Sequence, residues 1–401
     1  MHVNLWPSGD IHHCCLGDWN NPMGNLSDGA PDEIVNNDRY KQLRLKFLNN
    51  EKPDSCVRCF EREDYGMTSM RQHHNDYFAS SIPDVLKKTQ PDGFVDNFKF
   101  EYWDFRFSNL CNMKCRMCGS GLSSQWFDDE LELFKLYNTP VHASKRVMNA
   151  QEKSQIDIKK WIDEKINEVK YCYFAGGEPL IMDEHYYILQ RLIDENRTDV
   201  ELRYNTNLLK LNFKNFDLIE MWEKFDSVQV RPSLDDIGAR AEYIRKGTVW
   251  NDIEKNLVKL ASVKNISIAI ECTTQAMNIF TLPEFITRLS ELGISSNRIM
   301  LHNILQYPQF MSVKVLSNEL KQQAEHKLSA FVSTIENESI RDDLADKFQK
   351  IINYMNETTD IDVTHMQKEF KIKQKKLDVI RNESFVDVFP HLKEWYDEIS
   401  V

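Results

Sequence analysis

Six short apolar segments recur between residues 98 and 310, each set apart from the next by a stretch of helical period, and this alternation leaves few architectures open. They span 101–107, 168–174, 200–205, 227–232, 267–273 and 298–305. Strands joined through helices run parallel, since an antiparallel pair needs only a hairpin. The expectation is an α/β fold, a partial barrel of six β/α units whose chemistry gathers at the C-terminal ends of the strands.

The flanks read differently. Residues 1–95 look loop-rich, with Gly9, Gly17, Gly24 and Gly29 among Pro7, Pro22 and Pro31, ahead of an amphipathic helix over 39–49. Residues 1–5 read as mid-strand, which raises a translation start upstream of Met1. Beyond Pro308 the chain reads as helical over 316–354, 364–381 and 385–396, and its basic run Lys371, Lys373, Lys375 and Lys376 reads as a solvated helix face. The expected organisation is a small cysteine-rich module over 1–95, a β/α core over 96–310 and a helical region over 311–401.

Charge narrows the function. With 50 Lys+Arg against 62 Asp+Glu, the net charge of −12 argues against coating phosphate backbones, so nucleic acid is not the expected partner. No run approaches the ~18 apolar residues of a membrane span and no signal pattern opens the chain, so the expected location is the cytoplasm.

The nine cysteines are bunched, which in a large intracellular chain points to ligation and not to disulfides. Cys111, Cys115 and Cys118 form Cys-x3-Cys-x2-Cys directly after the first core strand. Thiolates suit zinc or iron–sulfur clusters, and a structural zinc site wants four protein ligands. Three without a near fourth suggest a [4Fe–4S] cluster with one iron open to a non-protein ligand. Cys14, Cys15, Cys56 and Cys59 form a second group, readable as an auxiliary cluster or a zinc knuckle. Cys172 and Cys272 read as core thiols, Cys272 standing near enough to a strand end to donate a hydrogen atom to a substrate radical.

Cys-x3-Cys-x2-Cys after the first strand of a β/α chain resembles the radical S-adenosylmethionine (radical SAM) superfamily, and further motifs follow in its order. Ala175-Gly176-Gly177-Glu178-Pro179 is similar to the GGEP segment, Asn205-Thr206-Asn207 to the turn after the third strand, and Ser233 with Arg245 to the fourth-strand segment. Thr273-Thr274-Gln275 with Asn278, and His302-Asn303 through Pro308, extend the likeness over about 98–310. Met117 stands where many members carry an aromatic residue. The resemblance implies that Cys111, Cys115 and Cys118 hold a cluster that binds SAM. It also implies that Gly176, Gly177, Glu178, Asn207, Ser233 and Arg245 position SAM. Reductive cleavage then gives a 5′-deoxyadenosyl radical that abstracts a substrate hydrogen, with a flavodoxin- or ferredoxin-type protein as reductant.

Residues 9–15, with Gly24-Asn25-Leu26, residues 42–48 and Cys56-Val57-Arg58-Cys59, resemble a SPASM or twitch auxiliary-cluster module placed ahead of the barrel instead of after it. Such a module implies four ligands: Cys14 and Cys15 both serve, or His12, His13 or an exogenous group completes the set, or a residue upstream of Met1 does. Relatives with such modules modify peptides, sulfatases or small polyols. The resemblance therefore implies modification of a peptide or protein side chain first, and dehydrogenation of a small polyol or sugar second, with Asp235, Asp236, Gln275 and Asn303 as substrate-side candidates. A non-catalytic, metal-organised electron-transfer or interaction protein would explain the cysteines but not the ordered motifs.

Overall fold

A computed structural model describes residues 2–64, 66, 68–152, 154–358 and 362–400, with His302 described in its backbone alone. In chain order the strands are β1 (His2–Leu5), β2 (Asp10–His12), β3 (Gly24–Asn25), β4 (Tyr102–Phe105), β5 (Lys114–Cys115), β6 (Tyr171–Phe174), β7 (Glu201–Thr206), β8 (Asn212–Phe213), β9 (Phe216–Asp217), β10 (Val228–Pro232), β11 (Arg245–Lys246), β12 (Ile266–Ile268), β13 (Ile270–Thr274) and β14 (Ile299–Ile304). Two compact units result. One comprises Met1–Asn109, Val147–Gly176 and Met182–Leu202, the other Leu110–Arg146, Gly177–Ile181 and Arg203–Val401.

The first unit corrects the loop-rich reading of the N-terminal region. β1 pairs in parallel with β4, His2 opposite Tyr102 and Leu5 opposite Phe105, and β4 pairs in parallel with β6. β2 and β3 extend this sheet antiparallel, giving the order β6-β4-β1-β2-β3. The period of two sorts the side chains. Val3, Leu5 and Phe105 gather around Trp161 of the helix Ile158–Lys165. On the opposite face His2 stacks on Tyr102 at 4.0 Å, and the wholly buried Asp104 lies 3.5 Å from both His2 Nε2 and Arg106 Nε. The helix expected over 39–49 forms as Asp38–Leu48, capped by Asn37, whose side chain accepts from the Tyr40 N–H. The short helix expected to run from the turn at Asp54 and Ser55 into Glu61 and Glu63 forms as Val57–Asp64, and helices at Met70–Tyr77 and Ile82–Lys88 occupy what reads as loop.

In the second unit β12, β10 and β7 lie side by side, and β10 and β12 are parallel. The fifth core strand breaks at Ala269, so that β13 pairs in parallel with β14 while Ser233 bridges to Glu271. The C-terminal region is helical, as expected. Its first stretch divides into Asn318–Ser333 and Glu338–Asn356, the second capped by Asn337, and the helix Val363–Arg381 ends at Asn382 in the left-handed region. The basic run is less solvated than its composition suggests. Lys371 donates to the Asp397 and Ile399 carbonyls and Lys376 lies over the Tyr137 ring, while Lys375 is exposed. Among the described residues no helix is long and apolar enough to cross a membrane.

Candidate functional site

The cysteine loop lies in the second unit. Its backbone is held by the start of the helix Trp126–Tyr137: the Ser124 hydroxyl accepts from the Cys111 N–H at 3.2 Å, the Ser123 hydroxyl donates to the Met113 carbonyl, and Trp126 Nε1 donates to the Cys115 carbonyl at 2.8 Å. The Cys118 N–H closes a turn on the Cys115 carbonyl at 2.9 Å. Burial pushes all three thiols up, Cys118 to about 12. Left as thiols they are inert, and they become thiolates only where a metal replaces the proton.

A second segment backs the loop. β11 pairs antiparallel with β5, setting Arg245 opposite Cys115 and Lys246 opposite Lys114. Gly247 then takes φ +105°, and a Cβ there would lie 2.7 Å from the Asn112 carbonyl oxygen, so only glycine lets the two segments approach this closely. The Thr248 hydroxyl reaches Met113 Sδ at 3.6 Å.

The C-terminal region supplies the third support. Arg116, inside the loop and fully buried, donates to Gln374 at 2.6 Å, Asp378 at 2.6 Å and Glu383 at 2.7 Å, and lies 3.5 Å over the Tyr243 ring. Lys246 also reaches Glu383 at 2.8 Å, so two cations face two carboxylates. Arg381 pairs with the buried Asp129, which also takes Lys114, and Cys118 packs against the cluster of Trp126, Leu133 and Leu377.

The strand-end motifs converge on the same loop. The Glu178 carboxylate accepts from Thr206 Oγ1 at 2.6 Å, the Asn207 N–H at 2.7 Å and the Leu180 N–H at 3.1 Å, while its own N–H donates to the Leu110 carbonyl. Burial raises its pKa to about 7 against those bonds. Asn207 donates to Asn112 Oδ1 at 2.7 Å and so ties the third strand to the cysteine loop. The side chains of Glu178 and Asn207 are thus occupied by the protein, and what they fix is the backbone of the two turns. The Ser233 N–H donates to the Thr206 carbonyl, leaving its half-buried hydroxyl at the strand end. Asp235 takes Arg245 on both oxygens at 2.7 and 3.1 Å, and Asp236 takes Arg240 and Thr281. Gln275 is buried, its amide atoms without a partner among the described residues, and Asn303 meets Thr273 at an exposed position. The His302 side chain lies outside the described residues. Cys272 is sealed, its thiol 3.9 Å from the Asp235 carbonyl, and Cys172 is buried as well.

In the first unit Gly176 adopts φ +111°, where a Cβ would lie 2.9 Å from Arg106 Cβ. Among the N-terminal cysteines Cys59 is buried and Cys14, Cys15 and Cys56 are half-buried, as Cys115 and Cys118 are in the core loop. Cys56 and Cys59 sit one turn apart at the start of the helix Val57–Asp64, which sets them on one face. The Leu16 N–H donates to Cys14 Sγ at 3.4 Å, and a bond to Cys14 raises the Cys15 thiol. His13 Nε2 stands 3.6 Å from Cys56 Sγ, with its pKa lowered to about 4 by burial, so the imidazole is neutral.

Among the described residues no three His, Cys, Asp or Glu side chains converge as a single bound ion would require. Unpaired thiols with N–H donors aimed at them suit a cluster, whose irons each take one thiolate. Parallel β/α architecture with such a loop after the first core strand defines an iron–sulfur enzyme class. Residues 105–273 match the family model of the radical SAM superfamily, and residues 1–60 match that of SPASM, an iron–sulfur cluster-binding domain. The chain thus carries a radical SAM domain over residues 105–273 with a SPASM-like module ahead of it. It is therefore an enzyme that uses a [4Fe–4S] cluster with bound SAM and an auxiliary iron–sulfur cluster, and that needs a reductant and a substrate. No curated protein matches it.

Proposed function

We propose that the enzyme abstracts a hydrogen atom from a peptide or protein side chain in a net oxidation, with Cys111, Cys115 and Cys118 holding the core cluster. A [4Fe–4S] cluster held by these three thiolates would bind the methionyl end of SAM and supply the electron that cleaves its sulfonium. The protein orients that end. Glu178, gripped by Thr206 and the Asn207 N–H, fixes the turn that carries Gly177, while Ser233 offers a hydroxyl at the next strand end. Gly176 keeps its φ of +111° because the side a Cβ would fill is packed against Arg106. The helix Trp126–Tyr137 packs its Trp126 and Leu133 against Cys118 and ties the Cys115 carbonyl through Trp126 Nε1.

Cys14, Cys15, Cys56 and Cys59 are proposed to hold the auxiliary cluster, with a flavodoxin- or ferredoxin-type protein as the electron donor to the core. The observation that carries this reading is the SPASM match, because a second redox centre gives an exit for the electron left on the substrate when a C–H bond is oxidised. Exposure of Asn303 and of Tyr307, 83% exposed, leaves the last strand's end open to a substrate larger than a metabolite.

The test is anaerobic reconstitution with iron and sulfide counts and a 5′-deoxyadenosine assay. About eight irons are expected in the wild type and about four in Cys115→Ala or in the double variant Cys56→Ala/Cys59→Ala. Deoxyadenosine should vanish with Cys115 alone. Formation that survives Cys115→Ala would remove the core assignment, and substrate oxidation that survives the double variant would remove the electron-exit role.

A further inference from the structure

We propose that Arg245 donates a hydrogen bond to the Cys115 thiolate and thereby raises the reduction potential of the core cluster. This rests on the reading of Cys115 as a cluster ligand. The likeness to the family had set Arg245 among the groups that position SAM, and the geometry gives its guanidinium a different address.

Three observations converge. The β5–β11 ladder puts Arg245 directly opposite Cys115, where facing side chains stand roughly 5 Å apart, and the Arg116 N–H to Ile244 carbonyl bond of 2.8 Å locks the register. The guanidinium is then clamped. Its Nε and Nη2 close on the two oxygens of Asp235 at 2.7 and 3.1 Å, a two-point grip that fixes the plane of the fork. Asp235 is itself immobile, buried and held by the Thr273 N–H at 2.8 Å. What remains is Nη1, and it lies 3.7 Å from Cys115 Sγ.

A buried ion pair of this kind is a poor route to stability, since apolar residues of the same volume do as well. Its function follows from where the spare N–H points. Hydrogen bonds and positive charge at a cluster sulfur favour the more negative, reduced state, and they are the levers by which proteins set these potentials. The reduced form takes one electron from the reductant, and the donor changes only how readily it does so. A carboxylate seeking Arg245 meets an Nε/Nη2 edge already closed by Asp235.

The test compares wild type, Arg245→Gln and Arg245→Lys, each loaded anaerobically, by EPR-monitored redox titration without SAM, and measures SAM binding separately by equilibrium dialysis. With four core irons retained, Arg245→Gln should hold about tenfold less reduced cluster at a fixed potential, ~59 mV for one electron. Arg245→Lys should fall between the two, and SAM affinity should change less than twofold. An unchanged potential overturns the proposal, and so does a loss of SAM affinity at unchanged potential, which would return Arg245 to the SAM carboxylate. Should the glutamine variant fail to load, wild-type protein carrying arginine labelled with ¹⁵N at the η positions decides the matter. The reduced cluster must show a ¹⁵N hyperfine coupling that Arg245→Lys weakens, and its absence would falsify the assignment. A Cys115→Ala protein with its full iron complement would instead sink the ligand reading on its own.

Discussion

The two groups of cysteines are built to different standards. Around Cys111, Cys115 and Cys118 the protein places buried ion pairs, a cross-strand partner and an obligatory glycine, drawn from the helix after the loop, the segment around residue 245 and the C-terminal helix. Around Cys14, Cys15 and Cys56 the direct contacts of the thiols are fewer, the Leu16 N–H, His13 and Ser55, with the charges of Asp104 and Arg106 acting on Cys15. The core loop is shaped before any metal arrives, whereas the N-terminal group takes more of its final form from what it binds.

That contrast can be broken by experiment. The largest effect is expected at Arg116. Replacing it with leucine leaves Asp378 and Glu383 facing each other without their shared cation, a loss of about 3–5 kcal/mol of stability in urea unfolding. The matching change in the module, Arg71→Leu, separates Arg71 from Glu63 at a partly exposed site and should cost less than about 1 kcal/mol. Equal losses would erase the distinction.

Next comes Glu178. Burial holds its pKa near 7 in the folded protein against 4.5 for the free group, so the folded state keeps a proton that the unfolded chain releases. Its contribution is therefore full below pH 4.5 and declines as pH rises to 7, by about 3 kcal/mol at most. In Glu178→Gln this decline should disappear from a series of urea midpoints across that range. A variant with the wild-type slope would show that the carboxylate is ionised throughout.

Gly247→Ala sharpens the picture on a smaller scale. The added methyl meets the Asn112 carbonyl and the backbone disfavours φ +105°, which together should cost about 1–3 kcal/mol. The loop should also bind iron more slowly during reconstitution, with the module's share unaffected. A normal loading rate would mean that β11 follows the loop instead of shaping it.

Much of this was legible in the sequence, and the reason is local. Each core strand is a short apolar run set between helical stretches, and Cys-x3-Cys-x2-Cys and Gly176-Gly177-Glu178-Pro179 lie within short segments, so spacing alone betrays them. The supports were not legible. Arg116 finds its partners 258 to 267 residues away, and no periodicity marks such a pairing. β1 was read as strand-like but not placed, because its partner β4 lies 100 residues on. The two-residue strands β5 and β11 are too short to show a period of two. Asn112 reads as an ordinary loop polar residue, although its place beside Cys111 is a signal in plain view.

The grip of the C-terminal helix on the cysteine loop also sets a clock. On a ribosome adding ~5–20 residues per second, Arg116 emerges roughly 13–50 s before Asp378, 262 residues later. During that interval the nascent loop carries three thiols and a guanidinium without its carboxylate partners. The cysteine loop therefore reaches its full packing only when almost the whole polypeptide has been made.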